Sequence, residues 1–408
     1  MRILVVSQYF WPENFRINEL VCSLSKLGHE IDVLTGKPNY PEGKFYFGYS
    51  IFGKKFERWK ETQIYRLPIL SRGSNNKLRL VMNYLSFIVS GIIFAPWMLR
   101  NKKYDVIFVY GTSPIFQAIP ASFIGWIKRL PVVLWVQDLW PQSTEATGYV
   151  KSAWLLTLLE KAVRFTYAHT DLLLVQSEAF IRPVSKLSSN IPVTYYPNSA
   201  DQAFYAPSDV NAPEIESLKS GFSVLFAGNI GKAQAVETIL AAAEKLHAYP
   251  EIKIVMLGSG SKEEWIRKQI DYKKITNVYL EGRFPVETMP TLMRQASVLL
   301  VSLTGHPIFS LTVPNKIQAY LAVGRPIIAS LNGEGARIVN EARAGLSVPA
   351  EDAEGLALAI LKMYRMTDGE RLQLGENGRA FFKKNFDEKT LTADLIKHFE
   401  SLVKKEKN

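Results

Sequence analysis

The sequence has 408 residues, 47% of them hydrophobic and 21% charged, which excludes a disordered chain and predicts two globular domains. Its single cysteine, Cys22, excludes an intrachain disulfide and a thiolate metal cluster. The net charge of +11 favours an anionic partner, either anionic lipid or a phosphate-bearing small molecule, and no common nucleic-acid-binding module is recognisable.

The N-terminal half alternates strand and helix patterns. Residues 3–6 form an apolar run of the size of a buried strand, apolar residues then recur at helical spacing, and Gly28 ends that helix before a second strand at 31–34. Such a βαβ unit predicts a parallel sheet, which continues with apolar runs at 106–110, 132–136 and 172–175. Polar Ser7 and Gln8 interrupt the first run at once, so we expect a cytoplasmic protein without a secretory signal peptide.

The C-terminal half repeats this alternation. Helical patterns separate five strand candidates, at residues 223–226, 252–257, 278–280, 298–301 and 326–329. Residues 197–220 are rich in Pro, Asn, Asp and Ser, which predicts a linker. We expect an α/β protein with two doubly wound, Rossmann-like domains at 1–200 and 201–385 that face a central cleft, and a C-terminal helix at 386–408 that returns to the first domain. Ligands bind beyond the carboxyl ends of such strands, so residues just after each strand are the candidates for function.

Residues 80–99 carry no charge and are long enough to span a bilayer. Basic residues flank them on both sides: Lys77, Arg79, Arg100, Lys102 and Lys103. A spanning helix would put the first βαβ unit and the strand at 106–110 on opposite sides of the membrane, and one sheet cannot assemble across a bilayer. We therefore expect a buried or interfacial helix.

Residues 44–60 interleave basic and aromatic side chains. Five residues are basic, Glu57 is the one acid, and the aromatic residues are Phe45, Tyr46, Phe47, Tyr49, Phe52, Phe56 and Trp59. Aromatic rings favour the headgroup level of a membrane, and lysines favour anionic lipid. The alternative is a loop whose aromatic residues pack on their own domain. Together with residues 80–99, the pattern predicts peripheral attachment to the inner face of the plasma membrane.

Two glycine turns follow the first two strands of the C-terminal half. The first contains Gly228, Asn229, Gly231 and Lys232, and the second contains Gly258 and Gly260. Glycine lets the backbone approach a ligand closely, and we expect a helix to open near Ala233, where free amides would suit a phosphate and Lys232 would add charge. Ordinary structural turns are the alternative explanation.

A third motif, residues 312–316, opens a helix that we expect to run to Val323. The motif begins with Thr312. Pro314 near the helix start leaves the backbone amides accessible, and it has no N–H of its own that would lack a partner there. Asn315 and Lys316 fall in the first turn, where the helix dipole disfavours a cation. A lysine at that place indicates a bound anion.

Three carboxylates lie in loops that follow strands. Asp138 comes directly after the strand at 132–136, where it can receive a proton or bond a sugar hydroxyl. A helix cap or turn residue is the alternative for an aspartate there. Glu13 is a second candidate and Glu334 a third, as a donor contact. His306 can bond a phosphate, but an isolated histidine is as often structural.

These segments, in this order, resemble the retaining glycosyltransferases of the GT-B fold, family 4. The matching segments are Phe-Ala-Gly-Asn-Ile-Gly at 226–231, Leu-Gly-Ser-Gly at 257–260, Glu-Gly-Arg-Phe at 281–284, Val-Pro-Asn-Lys at 313–316, residues 322–329, Trp-Pro-Glu at 11–13 and residues 27–35. The similarity extends over nearly the whole chain. It is strongest to the branch that adds amino-deoxy sugars, such as N-acetylfucosamine, in bacterial O-antigen, lipopolysaccharide or capsule assembly.

The resemblance implies transfer of a sugar from a nucleotide diphosphate sugar, expected to be UDP-linked, to a polyprenyl-diphosphate-linked saccharide. It implies that the reaction needs no cofactor and no metal and that the protein does not bind nucleic acid. Amides and basic groups would stabilise the departing diphosphate. We expect Asp138, Lys316 and Lys232 to be catalytic. Donor contacts are expected from Gly228, Asn229, Gly231, Gly258, Gly260, Arg283, Phe284, Thr312, Pro314, Asn315 and Glu334, and acceptor contacts from Pro12, Glu13 and Asn14.

Four positions depart from the family pattern. The family carries two glutamates with seven residues between them, and these positions are Leu311 and Ala319 here. Its usual arginine and lysine after the first glycine turn are Asn229 and Gln234. The lysines of the turn and helix motifs are the available replacements for the phosphate-binding charge.

The departures leave two alternatives open. One is an inactive sugar-nucleotide-binding subunit, which the missing glutamates permit. The other is a nucleotide-sugar epimerase of the same fold, which would not need a membrane-facing stretch. A dinucleotide oxidoreductase is disfavoured because no Gly-x-Gly-x-x-Gly follows the first strand.

Overall fold

The computed structural model describes residues 1–74, 76–146, 150, 152–205 and 212–407. It divides into two compact units. Unit 1 comprises Met1–Pro197 and Leu391–Asn408, and unit 2 comprises Asn198–Thr390. The functional roles expected for the two domains stay predictions.

Unit 1 is built from eight strands and the helices between them. In chain order these are β1 (Arg2–Val6), α1 (Arg16–Lys26), β2 (Glu30–Thr35), β3 (Phe56–Trp59), β4 (Thr62–Arg66), α2 (Lys77–Met98), β5 (Val106–Gly111), α3 (Ala118–Lys128), β6 (Val132–Val136), α4 (Gln142–Ala146), α5 (Ala153–Ala168), β7 (Leu172–Val175), α6 (Ile181–Ser188) and β8 (Val193–Tyr195). The strand order is β3-β4-β2-β1-β5-β6-β7-β8, and only the β3–β4 pair is antiparallel. The order reverses at β1, which pairs with β2 on one side and β5 on the other.

Unit 2 contains a six-stranded parallel sheet. Its elements are α7 (Glu216–Lys219), β9 (Phe222–Ala227), α8 (Val236–Lys245), β10 (Ile252–Leu257), α9 (Glu263–Lys273), β11 (Val278–Gly282), α10 (Met289–Gln295), β12 (Val298–Ser302), α11 (Pro307–Leu311), α12 (Asn315–Val323), β13 (Ile327–Ser330), α13 (Glu334–Glu341), β14 (Gly345–Val348), α14 (Ala353–Arg365), α15 (Asp368–Asn385) and the start of α16 (Glu388–Lys407). The order is β11-β10-β9-β12-β13-β14, which reverses at β9.

The predicted strands are confirmed to within two residues. Central parallel strands such as β5, β6 and β9 are buried at every position, which explains why they read as continuous apolar runs. The predicted α/β class with two doubly wound domains is therefore confirmed. Four strands, β3, β4, β8 and β14, were not predicted. Each has at most five residues, and β3, β8 and β14 contain no fully buried residue.

The helix predicted over residues 80–99 is α2, which has an average hydropathy high enough and a length sufficient for a membrane span. Among the described residues it is the one helix with these properties. Buried residues occur along its whole length, from Asn83 through Phe87 and Gly91 to Ala95, so one side of the helix is packed into unit 1. This packing supports the expectation of a helix that lies on its domain.

Candidate functional site

The candidate site of unit 2 lies at the carboxyl end of β9, where the strand order reverses and ligands bind in doubly wound sheets. Helix α12 is fixed over this point by Tyr320. Its hydroxyl accepts a hydrogen bond from the backbone N–H of Ala227 (3.2 Å) and donates to the carbonyl of Leu300 (3.3 Å). The first turn of α12 is thereby held beside the glycine turn that follows β9.

The two glycine turns pack backbone against backbone. Gly228 and Gly258 have φ values of +127° and +136°, which L-residues rarely adopt. A Cβ on Gly258 would lie 1.9 Å from the carbonyl oxygen of Gly228, and one on Gly260 would lie 2.3 Å from that of Ile230. The backbone N–H of Ile230 also donates to the carbonyl of Ser259 (2.9 Å). The structural explanation therefore accounts for Gly258 and Gly260, because close packing of the turns requires them.

The helix expected at Ala233 begins three residues later. Lys232–Gln234 form a single 3₁₀ turn, Ala235 has a left-handed backbone (φ 45°), and α8 begins at Val236. The left-handed residue breaks the helical path, so the amides at Ala233 do not form the start of an α-helix. Asn229 and Lys232 are both exposed in this turn, and Gly231 precedes its 3₁₀ segment.

Lys316 projects from the first turn of α12 across the turn after β9. Its Nζ donates to Oε1 of Gln234 (2.8 Å) and lies 3.8 Å from the ring centre of Phe226. A Cβ on Gly228 would lie 2.8 Å from its Cε, so any other residue there would force the lysine side chain to shift. No carboxylate pairs with Lys316 among the described residues, and burial lowers the pKa of Lys316 to about 7. The structure thus places an amine with a pKa near neutrality beside Gln234, the position at which the family pattern has a lysine.

The other residues of the helix motif precede Lys316 along the chain. Pro314 occupies the N-cap of α12 and supplies no side-chain bond, and no acid lies in the first turn. Asn315 is exposed, whereas the hydroxyl of Thr312 donates to the carbonyl of Ile308 (3.0 Å). His306 accepts a hydrogen bond from the backbone N–H of Ile308 through Nδ1 (3.3 Å) and caps α11. This cap matches the structural explanation for the histidine.

Three further predicted donor residues are arranged differently. Glu334 is the first residue of α13, and both its carboxylate oxygens bond the guanidinium of Arg337, at 3.1 and 3.0 Å. Arg283 is exposed just beyond β11. Phe284 is half-buried and packs on the hydrophobic core of unit 2. Direct donor contacts by these side chains stay predictions.

In unit 1, Asp138 follows β6 and meets the loop that follows β5. Its Oδ2 accepts a hydrogen bond from the hydroxyl of Ser113 (2.7 Å), which in turn accepts from the indole N–H of Trp140 (3.1 Å). Burial raises the pKa of Asp138, while the bond from Ser113 opposes this shift. A carboxylate with a raised pKa at a strand end is suited to accept a proton.

Glu13 lies in the loop after β1 and is 1% exposed. Its Oε1 accepts from the backbone N–H groups of Asn39 and Tyr40, both at 2.7 Å, and its Oε2 accepts from that of Phe10 (3.3 Å). Burial raises the pKa of Glu13 to about 7. These contacts brace two loops, and the acceptor contact expected of Glu13 stays a prediction. Its neighbours Pro12 and Asn14 are more accessible.

The stretch at residues 44–60 is not a continuous aromatic surface. Trp59 stacks on Trp11, and the hydroxyl of Tyr49 bonds Glu57, which also pairs with the buried Arg66. Some of its aromatic residues therefore pack on unit 1, as the alternative explanation expects, and membrane attachment through this stretch stays a prediction. Phe47 and Phe52 remain highly exposed.

Sequence reasoning missed Ser113 and the partnership of Gln234 with Lys316. Ser113 lies two residues beyond β5, so the rule that ligands bind at strand ends would have selected it. The pairing of two residues 82 positions apart has no local sequence signal. Across the described residues, no group of three or more His, Cys, Asp or Glu side chains is arranged to hold a metal ion.

Both halves of the chain match glycosyltransferase families. Residues 14–198 match the family described as "Glycosyl transferase 4-like domain", and residues 221–366 match "Glycosyl transferases group 1". Similar curated proteins include the probable glycosyltransferase WbjE of Pseudomonas aeruginosa, 24% identical over 77% of this chain and 79% of that protein. The putative colanic acid biosynthesis glycosyl transferase WcaI of Escherichia coli is 24% identical over 79% of this chain and 82% of its own length.

Solved structures show the same fold at low sequence identity. Sucrose-phosphate synthase from Thermosynechococcus elongatus superposes with a TM-score of 0.72 at 18% identity and covers 98% of both chains. Anabaena HepE, solved in complex with UDP and glucose, has a TM-score of 0.66 at 13% identity and covers 98% of this chain and all of its own. The fold is therefore shared with these proteins.

Proposed function

The chain is a glycosyltransferase of the GT-B fold whose two halves belong to the glycosyl transferase 4-like and group 1 families, and we propose that it is a retaining enzyme of bacterial surface polysaccharide synthesis. The donor would be a nucleotide diphosphate sugar and the acceptor a polyprenyl-diphosphate-linked saccharide. The work would take place on the cytoplasmic face of the membrane. The name of WcaI, a putative colanic acid biosynthesis transferase, supports this setting.

The observation that carries the proposal is the position of Lys316. The family pattern has a lysine where this chain has Gln234, and the ammonium of Lys316 reaches the amide oxygen of that same residue. One lysine is thus exchanged for another that enters from a different helix. On this proposal, Lys316 would supply the cation that a donor diphosphate needs at this place.

Donor chemistry follows from this cation. As the bond from the sugar to the diphosphate breaks, negative charge grows on the leaving oxygen. A protonated Lys316 and the exposed backbone of Gly228 and Asn229 would stabilise that charge. Lys232 is exposed nearby and would contribute to donor binding. The crystal of HepE with UDP supports a uridine diphosphate donor, and no metal is required in this scheme.

Asp138 is assigned to the acceptor half of the reaction. The acceptor hydroxyl forms the new bond to the sugar and must release its proton. The carboxylate of Asp138, held by Ser113 and raised in pKa by burial, is suited to receive it or to orient the hydroxyl. The resemblance to the N-acetylfucosamine branch favours an N-acetylated deoxy amino sugar as the group transferred.

The test is a transfer assay with the full chain, a panel of UDP-, GDP- and dTDP-linked sugars, and lipid extract from a bacterial membrane. We expect one UDP-linked N-acetylated deoxy sugar to label the lipid fraction, with the anomeric configuration of the donor retained in the product. Lys316→Ala should abolish labelling. Lys245→Ala, which removes a surface lysine paired with Glu354 on unit 2, is the matched control and should not.

Other results would redirect the proposal. Conversion of the free nucleotide sugar to its epimer, without labelling of lipid, would identify an epimerase. Binding of nucleotide sugars without any turnover, over all donors and acceptors tried, would identify a binding subunit.

A further inference from the structure

Helix α2 exposes a long apolar stripe. Eight large hydrophobic side chains on it are between 41 and 69% exposed: Leu78, Val81, Met82, Leu85, Val89, Ile93, Phe94 and Trp97. Most of them recur every three or four residues over about five turns, so most share one side of the helix. Soluble surfaces rarely carry so many adjacent apolar side chains without a partner.

The opposite side of α2 is fixed to unit 1. Asn83 accepts from the side chain of Gln8 (2.7 Å), and the hydroxyl of Ser86 accepts from the backbone N–H of Leu70 (3.0 Å). Gly91 lies so close to Pro120 of α3 that a Cβ would approach its ring to 2.5 Å. A helix attached in this way along its length presents its exposed stripe sideways and does not cross a bilayer.

Two neighbouring helices extend the stripe into a wider surface. On α3, which packs on α2, Trp126 is 77% exposed and Ile127 is exposed beside it. On α5, which contacts α3, Trp154 is 70% exposed and shares one side with Leu158 and Phe165, four and eleven residues further on. We call the exposed apolar residues of α2, α3 and α5 the outer apolar face.

Positive charge borders the outer apolar face. From Lys77 to Gln137 the sequence has seven basic residues and one acid, Asp105. At the C-terminal end of α2 the guanidinium of Arg100 lies over the ring of Trp97 (5.2 Å), and the ammonium of Lys128 on α3 donates to the carbonyl of Lys102 (2.9 Å). The ends of the two helices thus present their cations together.

We propose that the outer apolar face is the surface by which the protein lies on an anionic bilayer. Exposed tryptophans and a basic border fit the headgroup level of such a membrane, where amphipathic rings and cations are both favoured. This inference rests on the proposed lipid-linked acceptor and assigns the attachment to three helices. Phe47, Phe52 and Phe56 are the exposed large hydrophobic residues at 44–60, and the inference does not depend on them.

The outer apolar face is connected to Asp138 by one short segment. Residues 115–117 form a 3₁₀ turn that contacts α2, α3 and α5. Within it, Phe116 packs edge-on against Trp140 (5.4 Å), whose indole N–H bonds Ser113, the partner of Asp138. Attachment through this face would therefore hold the carboxylate of Asp138 close to the membrane surface, where the sugar of a lipid-linked acceptor is joined to its lipid.

The experiment compares binding of the full chain to vesicles of phosphatidylethanolamine with phosphatidylglycerol and to vesicles of phosphatidylcholine alone. Wild type should sediment with the anionic vesicles, and high salt should release much of it. The triple substitution Leu85→Glu, Trp126→Glu, Trp154→Glu, which we call the face variant, should lower vesicle affinity by about tenfold or more. The control Tyr272→Glu, Leu358→Glu, Leu372→Glu places the same charges at equally exposed positions of unit 2 and should bind like wild type.

Three outcomes would overturn the inference. The first is equal vesicle binding by the face variant and wild type, and the second is no binding by wild type. The third is a wild-type dimer in solution that the face variant converts to a monomer without any change in vesicle binding, because a second copy would then cover the face. Transfer to a short soluble acceptor should survive in the face variant. If neither the face variant nor wild type transfers sugar to the soluble acceptor, the result would instead count against the proposed enzyme activity.

Discussion

The carboxyl edges of the two sheets differ in the charge that they bury. At the edge of unit 1 the half-buried and buried groups are carboxylates, Asp138 and Glu13, each held by hydrogen-bond donors. At the edge of unit 2 the corresponding group is an amine, Lys316, which lies against Gly228, Gln234 and Phe226 and has no acidic partner among the described residues. Burial shifts both kinds of group toward their neutral forms.

This difference fits the two roles that we propose for the two units. A neutral amine near its pKa takes up a proton when an anion arrives, as the proposed diphosphate site of unit 2 requires. A carboxylate with a raised pKa can accept a proton from a hydroxyl, as the proposed acceptor site of unit 1 requires. On this proposal, removing the charged group at either edge should affect one role and spare the other.

The largest effect is expected from Lys316→Ala. Removal of one charged contact to a leaving diphosphate costs about 2–4 kcal/mol of barrier, or about 30-fold to 10³-fold in turnover. Steady-state transfer and UDP binding measure this loss. Lys232→Ala, at an exposed position, should chiefly raise the donor KM, and equal effects of the two substitutions on turnover would contradict the special position of Lys316.

Asp138→Asn should come next. Turnover should fall by about 10²-fold, at the lower end of the range for a proton-accepting group, with the Kd for UDP unchanged, because the asparagine still accepts the bond from Ser113. Ser113→Ala should have a smaller effect of the same kind. A loss of UDP affinity with normal turnover would place Asp138 on the donor side instead.

Glu13→Ala tests whether this carboxylate is a structural support. Three backbone donors would lose their acceptor, and the free energy of unfolding should fall by about 3 kcal/mol, since each unmet buried donor costs about 1–3 kcal/mol. Seven of the eight tryptophans lie in unit 1, so intrinsic fluorescence during urea denaturation reports mainly on this unit.

Glu13→Gln is the matched variant because it keeps an acceptor oxygen. The folded pKa of Glu13 is raised to about 7, so its wild-type contribution is intact below the unfolded pKa and is lost as pH rises through about 7. The glutamine variant should therefore gain stability relative to wild type between pH 5 and pH 8. A constant difference would show that the carboxylate does not titrate in this range.

The smallest effect concerns the pH dependence of nucleotide binding. With the pKa of Lys316 near 7 in the free protein, its amine loses its proton as pH rises above 7. UDP affinity should then fall by close to tenfold per pH unit, the limit for one required proton. Calorimetry in buffers of different ionisation enthalpy should detect proton uptake on binding. The slope should disappear in Lys316→Ala, and its persistence would assign it to another group.

Much of the fold follows from local sequence because buried parallel strands are apolar at every position and helices end at glycines. Gly28 and Gly324 both have positive φ at helix ends, as their positions predict. The hairpin β3–β4 escaped prediction because its aromatic residues are divided between solvent and a neighbouring loop. The left-handed Ala235, which delays α8, has no sequence signal, since alanine is a strong helix former.

The candidate site was predictable as a set of strand-end positions but not as a set of contacts. The sequence places Asp138 and Lys316 after strands or at a helix start. It does not reveal that Glu13 is enclosed by backbone donors or that Lys316 reaches Gln234. Both facts depend on how distant loops pack, and no periodicity in the chain encodes that packing.

The last helix has a consequence for how the chain is made. Leu395 and Phe399 of α16 are buried in the core of unit 1, where Phe399 packs against Phe108 of β5 (5.5 Å). During synthesis, all of unit 2 emerges from the ribosome between the first 197 residues and these two side chains. Unit 1 therefore begins to emerge first and is completed last. Its nascent form has a gap beside β5 while about 190 residues of unit 2 are synthesised, at 5–20 residues per second. A fragment ending at Pro197 would keep that gap permanently.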